Sequence, residues 1–297
     1  MTPRQIALAL VPPACFGTGF TIAKPAMAHF PPLFTMALAY GGIAVVLAVT
    51  HRAPLRTPWP QVVMIAALAV TVQGALLFWG LAGMPATAAN LILQVQVPFA
   101  IFWGWLLAGE RLNRRKVGGT VVAIAGVVAV IGLPEQPPPL VPSLLIVAAA
   151  LVWSLGQVLA QKLGRDGGVG QLKANAYGGA PQLILASALL EHGQLEAMRS
   201  ASFNQWAMLA FVAGIGFGLA YMSWYTVLRQ ARVDEVAPFV LLMPVFGIVT
   251  AFLVLGETAS PAQLAGGAVI LAGLAIVAGL RFPVRRQGRT RDPAPRH

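Results

Sequence analysis

The sequence holds a single cysteine, Cys15, and only four histidines, His29, His51, His192 and His297. One cysteine excludes an intramolecular disulfide, and histidines so far apart make no metal-ligand pattern. Cys15 lies in an apolar run and reads as a small packing residue. There is no Walker phosphate loop, so neither a nucleotide cofactor nor ATP-driven transport by this chain is implied. Gly214-x-Gly216-x-Gly218 imitates a nucleotide loop only as text, because it falls inside an apolar run with no strand before it. It reads as close helix packing. The chain also lacks HExxH, paired membrane aspartates and a Ser/His pair, so it is not expected to be an enzyme.

Charge is scarce too. Only 10% of the 297 residues are charged, against about 25% in soluble proteins. The nine acidic residues are Glu110, Glu135, Asp166, Glu191, Glu196, Asp234, Glu235, Glu257 and Asp292. All fall in loops, at the ends of apolar runs or in the tail. A carboxylate buried in mid-membrane is the usual proton carrier of coupled antiporters and the usual partner of cationic drugs. Its absence argues against multidrug cation export and favours facilitated diffusion or weak coupling. Glu110 and Glu257 follow glycines at run ends, where a helix-end role is the expected one. The formal net charge of +11 would suggest nucleic acid in a soluble protein. Here the cations lie between apolar runs, where they set orientation, and no nucleic-acid partner is expected.

What is abundant is hydrophobic sequence, at 58%. Ten apolar runs recur: Ile6 to Ala28, Leu33 to Thr50, Val62 to Gly80, Ala86 to Ala108, Val117 to Gly132, Ser143 to Leu163, Leu172 to Leu190, Trp206 to Leu228, Val236 to Leu255 and Ala262 to Leu280. The first is too long for a signal peptide and is interrupted by Pro12–Pro13. Between the fifth and sixth lies a proline-rich linker, 133–142, that cannot be helical throughout. The chain therefore divides into 1–132, the linker, 143–280 and a basic tail, 281–297, read as disordered.

The two halves repeat. Pro98 with Gly109–Glu110 returns as Pro244 with Gly256–Glu257, and Gly119, Gly126 and Gly132 then fall on Gly266, Gly273 and Gly279. With the N-terminus cytoplasmic, eighteen Lys and Arg lie on the cytoplasmic side and only Arg199 outside; Lys24 is within or at the end of the first run. Five spans per half is an odd number, so the halves must be inverted. The fold expected is an all-α polytopic membrane protein of ten transmembrane helices in two inverted five-helix repeats, with a site at the midplane between them.

These motifs, the proline and the Gly-Glu hinge followed by a small-residue span in each half, resemble the EamA-type drug/metabolite transporter superfamily. The resemblance covers roughly 6 to 281. In its aromatic-rich interior the chain is similar to the YddG-type bacterial amino-acid exporters. Ala37-Leu38-Ala39-Tyr40 stands where many members carry an arginine in the second helix, so no role of that arginine carries over. The resemblance implies an inner-membrane secondary transporter, with both termini cytoplasmic, that exports amino acids, aromatic and other neutral ones included, or related metabolites by alternating access. The alternative is an exporter of drugs or other small metabolites, with proton coupling. A monomer or homodimer in the lipid bilayer is expected.

Polar and aromatic residues inside the runs are the candidate substrate contacts. Asn90 and Gln94 share a helical face, with Gln96 close by. Pro98 and Pro244 are expected hinge points, since each leaves a backbone carbonyl without its helical partner. Trp153, Gln157 and Gln161 form an i, i+4, i+8 stripe. Tyr221 and Tyr225 make a similar pair, and Gln73 and Trp79 lie on the third run. Lys24 is read as a positive charge for the site or as a side chain reaching for the membrane surface. An uncharged cavity lined by amides and aromatics suits a small amphipathic or zwitterionic solute.

Overall fold

A computed structural model of the protein describes residues 3–228 and 239–279, without the side chains of Tyr225 and Leu228. The expected beginning of the ninth run at 236–238, Asp234, Glu235 and the tail at 281–297 lie outside the described residues. All regular structure among the described residues is helical. In chain order the helices are α1 (Pro3–Met27), α2 (Pro32–Thr50), α3 (Trp59–Ala82), α4 (Ala86–Ala108), α5 (Arg114–Gly132) and α6 (Leu140–Leu163). Then come α7 (Val169–Leu190), the short α8 (Gln194–Ser200), α9 (203–228), α10 (Met243–Leu255) and α11 (Pro261–Ala278).

Eight of these are long and apolar enough to cross a bilayer by themselves. The other two spans are α10, which is short, and α7, whose first turns carry Gln171, Lys173 and Asn175. Lys173 is tolerated because Nζ donates to the carbonyls of His51 and Ala53, at 2.7 and 2.9 Å. The protein is thus an all-α polytopic membrane protein built as two inverted five-helix repeats.

Local chemistry sets the helix ends. Prolines stand at the starts of α2, α3 and α11, where a missing N–H costs nothing. Asn113 caps α5 by accepting the N–H of Lys116, and Ser260 caps α11 at the equivalent place. Gly109 and Gly256 end α4 and α10 with φ of 68° and 65°, a conformation a side chain would strain. Contrary to expectation, Pro12–Pro13 does not interrupt α1, which is continuous from Pro3 to Met27. Both prolines are buried, so neighbouring helices hold the turn that their missing donors weaken. Two π-helical stretches not signalled by apolar periodicity, Ala67–Val72 in α3 and Val212–Leu219 in α9, occupy corresponding helices of the two repeats. The second holds the Gly214-x-Gly216-x-Gly218 run, and Gly216 packs there against the backbone of Gly19 in α1.

The repeats interleave. α1 packs on α9 and α10 of the other repeat, and its counterpart α6 packs on α3 and α4. α2 pairs with α7, and α5 pairs with α11. Exchanging the repeats leaves this pattern unchanged. The last pair shows the same symmetry in atomic detail. A Cβ on Gly126 would lie 2.6 Å from the Ile270 nitrogen and 2.9 Å from the Gly266 oxygen, and one on Gly266 would lie 3.2 Å from the Gly126 oxygen. Gly119 and Gly273 make the mirror contact. Close backbone approach of this kind is how helices associate where lipid offers no hydrophobic drive. Two mixed bundles result, α1–α9–α10 and α3–α4–α6, so the bodies that face each other are not the halves of the sequence.

Carboxylates of the second repeat seat on helix starts of the first. Glu191, just past α7, accepts the N–H groups of Leu33 and Phe34 at 2.8 and 3.0 Å. Asp166, past α6, accepts those of Arg56 and Thr57, in the turn leading to α3. Burial alone would push the Asp166 carboxyl up, but the Arg56 and Thr57 donors and the Arg56 charge outweigh it and hold it below the ordinary range.

Two outcomes are expected. Gly126→Val forces backbone apart along α5–α11 and should cost ~1–3 kcal/mol or more, seen as a lower melting temperature in detergent, whereas Gly118→Ala faces open space and should be neutral. Because the folded-state pKa of Asp166 is depressed, its stabilisation is present above the ordinary carboxylate pKa of about 3.9 and is lost as pH falls through the lower folded value. The melting difference between wild type and Asp166→Asn should therefore hold from about pH 7 to about pH 5 and shrink below about pH 4.

Candidate functional site

A cavity of ≈ 130 Å³ lies where the two mixed bundles face each other. From α1–α9–α10 come Phe16, Phe20, Tyr221, Trp224 and Met243; from α3–α4–α6 come Gln73, Leu93, Gln96, Trp153 and Gln157. Among the described residues, no lining side chain is charged. Its walls continue toward the bundle end where α9 finishes, with Trp224 and Val240, and Pro12 and Pro13 border the same side. A wider hollow of ≈ 480 Å³ around Asp166 lies among loops, outside the helices.

The aromatic wall is tightly ordered. Phe16 stands edge-on to Tyr221 at 4.9 Å, and Phe20 to Phe217 at 5.6 Å. Tyr40 leans on Phe217 at 5.7 Å, and both Trp153 and Tyr40 lie close to the buried Tyr221 hydroxyl. Rings held this way give an amphipathic solute a rigid apolar face at little entropic cost. The amides of Gln73, Gln96 and Gln157 stand on the opposite bundle, so one wall is aromatic and the other sets three amides beside Trp153 and Leu93. The turn that presents Leu93 and Gln96 is 3₁₀ over Leu93–Val95, just before Pro98. The equivalent turn at 241–242 just precedes Pro244. Each proline thus follows a turn that is not α-helical.

Among the candidates from sequence, Gln73, Gln96, Trp153, Gln157 and Tyr221 come together here. Gln161 does not, being exposed at the end of α6. Trp79 is half-buried near the far end of α3, off the cavity. The side chain of Tyr225 lies outside the described residues. Asn90 and Gln94 are fully buried but do not line the cavity. Asn90 Nδ2 donates to the carbonyl of Ala86 and to Thr21 Oγ1 of α1, joining α4 to the other bundle. Helical spacing placed them on one face, and the inter-bundle seam took that face. Trp103 Nε1 donates to the Leu151 carbonyl at 3.1 Å, binding α4 to α6, while Trp105 is exposed on the outside of the bundle.

Phe16, Phe20, Tyr40 and Met243 were missed, being apolar or aromatic residues in apolar runs. A signal was present. Setting Gly19 against Gly156, which make equivalent close contacts in α1 and α6, puts Phe16 opposite Trp153 and Phe20 opposite Gln157. The other repeat thus contributes the same two positions with different chemistry.

Lys24 does not line the cavity and is partly exposed. Its Nζ pairs with Glu257 at 2.6 Å. Burial pushes the Glu257 carboxyl up, but Lys24 and the Thr87 and Ala86 N–H groups outweigh it and hold the group below the ordinary range.

The two kinds of residue should separate experimentally. Trp103→Phe is expected to lower detergent stability by about 1 kcal/mol and leave transport KM unchanged. Gln157→Ala should raise KM several-fold with little change in melting; the reverse pattern would exchange their roles.

Known proteins match along nearly the whole chain. The model of the EamA-like transporter family matches residues 4–132 and again 141–279. A Salmonella typhimurium protein named a probable amino-acid metabolite efflux pump is 33% identical, over 97% of this chain and 99% of its own. The Escherichia coli protein of the same name is 30% identical over 95% and 97%. A Streptantibioticus cattleyicolor protein named a probable terminal-alkyne amino-acid exporter is 26% identical over 86% and 83%. A crystal structure superposes with a TM-score of 0.67 at 19% identity, over 93% of this chain and 98% of that one, which concerns the fold alone.

Proposed function

Since the chain belongs to the EamA-like transporter family, we propose that it exports amino acids, neutral and aromatic ones among them, or closely related metabolites across a bacterial inner membrane. The observation that carries this reading is the uncharged cavity, aromatic on one bundle and with three amides on the other. A zwitterion has no net charge to neutralise, so amides and backbone dipoles suffice for its head group while a side chain stacks on Phe16, Tyr221 or Trp153. The efflux names of the relatives agree with that solute class.

Transport proceeds by alternating access. The bodies that move are the mixed bundles α1–α9–α10 and α3–α4–α6, with the turns before Pro98 and Pro244 as flexible points. Both termini are cytoplasmic by the positive-inside distribution. The walls of the cavity then continue toward the cytoplasm. With no carboxylate among the described lining residues to carry a proton, facilitated diffusion is favoured over strict antiport. An exporter of drugs or other metabolites with proton coupling is the second reading.

Proteoliposome uptake of labelled amino acids, with and without a pH gradient, tests this. Saturable uptake of several neutral or aromatic amino acids without a gradient is the expected result. Uptake only with a gradient overturns the uncoupled mechanism, and no uptake of any overturns the substrate class. Trp153→Ala should reduce uptake at least about tenfold, a loss of ~1.4 kcal/mol, with the fold intact.

A further inference from the structure

Between the cavity and the opposite face, the path is shut by one seam. There α4, of one bundle, meets α1 and α10, of the other. At its outer end Glu257, just past α10, reaches across to the start of α4. It accepts the N–H groups of Ala86 and Thr87 at 3.1 and 3.0 Å and the Thr87 hydroxyl at 3.2 Å. Lys24, on the same side of the seam as Glu257, holds the carboxylate charged. For the symmetry-related Glu110 the equivalent helix start, at 233–234, lies outside the described residues, and among the described residues Glu110 makes no such crossing contact. Its carboxylate pairs with Lys116, six residues on, at 2.9 Å, and is half exposed. Glu257 thus closes the seam at its outer end.

Inside the seam are two polar groups with no hydrogen-bond partner among the described residues. Asn90 Oδ1 and Gln94 Oε1 are buried without partners, in residues only 2% and 0% exposed. The Asn90 amide points into the seam, because a Cβ on Gly247 of α10 would lie 2.5–2.7 Å from its atoms. Orphaned acceptors in a low-dielectric interior cost free energy and call for a donor. One helical turn away are the Ala86 and Thr87 donors, which call for an anion.

We propose that the first two turns of α4 form a second solute subsite, on the exit side of the cavity. Glu257 occupies it while the gate is shut. As the bundles part, the carboxylate of a zwitterionic amino acid replaces Glu257 on the Ala86 and Thr87 N–H groups, and its ammonium meets Asn90 Oδ1. Opening without such a solute strips the helix start of its acceptor, so the gate opens when loaded and stays shut when empty. Lys24 and Glu257 stay paired throughout, because both belong to the moving α1–α10 side. This reading rests on the transport function above and adds the requirement that the solute carry both charges.

The test uses intact cells and the single native cysteine. In a Cys15→Ala background, Leu93→Cys reports exposure of the cavity to an impermeant maleimide added outside, with Gln96→Cys as a second reporter. Glu257→Ala, and independently Glu257→Gln, should raise labelling about tenfold with no solute present. In the wild-type gate, phenylalanine or leucine should raise labelling several-fold, while their methyl esters and N-acetyl derivatives should not. Unchanged labelling in both Glu257 variants overturns the gate. Labelling raised equally by the esters or N-acetyl derivatives overturns the subsite, even where proteoliposome uptake upholds amino-acid transport. Gate opening by Glu257→Ala with no uptake and no response to either amino acid rejects the substrate class and the subsite together.

Discussion

A helix that begins in or near hydrocarbon exposes backbone donors that water does not reach, and this constraint organises the protein's few charges. Asp166, Glu191 and Glu257 each follow a helix of the second repeat and each settles on donors at or just before a helix of the first. A carboxylate is the natural ligand for such a position, since it meets both the free N–H groups and the positive end of the helix dipole. Each contact also crosses between repeats, so satisfying helix starts and joining the repeats are the same act. This is why so few acidic residues suffice, and why they stand at ends.

The remaining cohesion is steric. Lipid is as apolar as a leucine side chain, so helices gain nothing from hiding hydrophobic surface and associate by close packing instead. Gly119, Gly126, Gly266 and Gly273 bring α5 and α11 to backbone contact, and Gly19 and Gly216 do so for α1 and α9. With those seams so tight, the space left between the mixed bundles is small, and the π-helical stretches of α3 and α9 end just before its lining residues Gln73 and Tyr221. Side chains of one repeat thereby face their counterparts: Phe16 and Phe20 across from Trp153 and Gln157. Symmetric backbone with asymmetric chemistry gives the solute an aromatic wall and one that carries amides.

Much of this was legible in advance, and the exceptions are instructive. The repeat could be read from Pro98 and Pro244 with their Gly-Glu hinges because such backbone requirements belong to single residues. Five of the polar and aromatic candidates meet at the cavity because amides and tryptophans inside apolar runs have few other places to be. Asn90 and Gln94 share the right helical face, yet that face meets α1 and α10 rather than the cavity. Lys24 looked like a lone cation because its partner, Glu257, is more than two hundred residues away. The phenylalanines of the cavity were invisible against many others facing lipid or core, since an apolar residue does not announce which it touches.

The sequence by itself determined that this chain spans a membrane many times, repeats itself inverted and keeps charge from the midplane. Those properties follow from transfer free energies, proline and glycine backbone limits and charge counts, all of which are local. Only the tertiary structure decided that the repeats interleave, that the cavity lies between mixed bundles, and that Glu257 crosses the seam to the start of α4. These depend on which helix faces meet, and that is set by contacts between residues far apart in the chain, which no local pattern encodes.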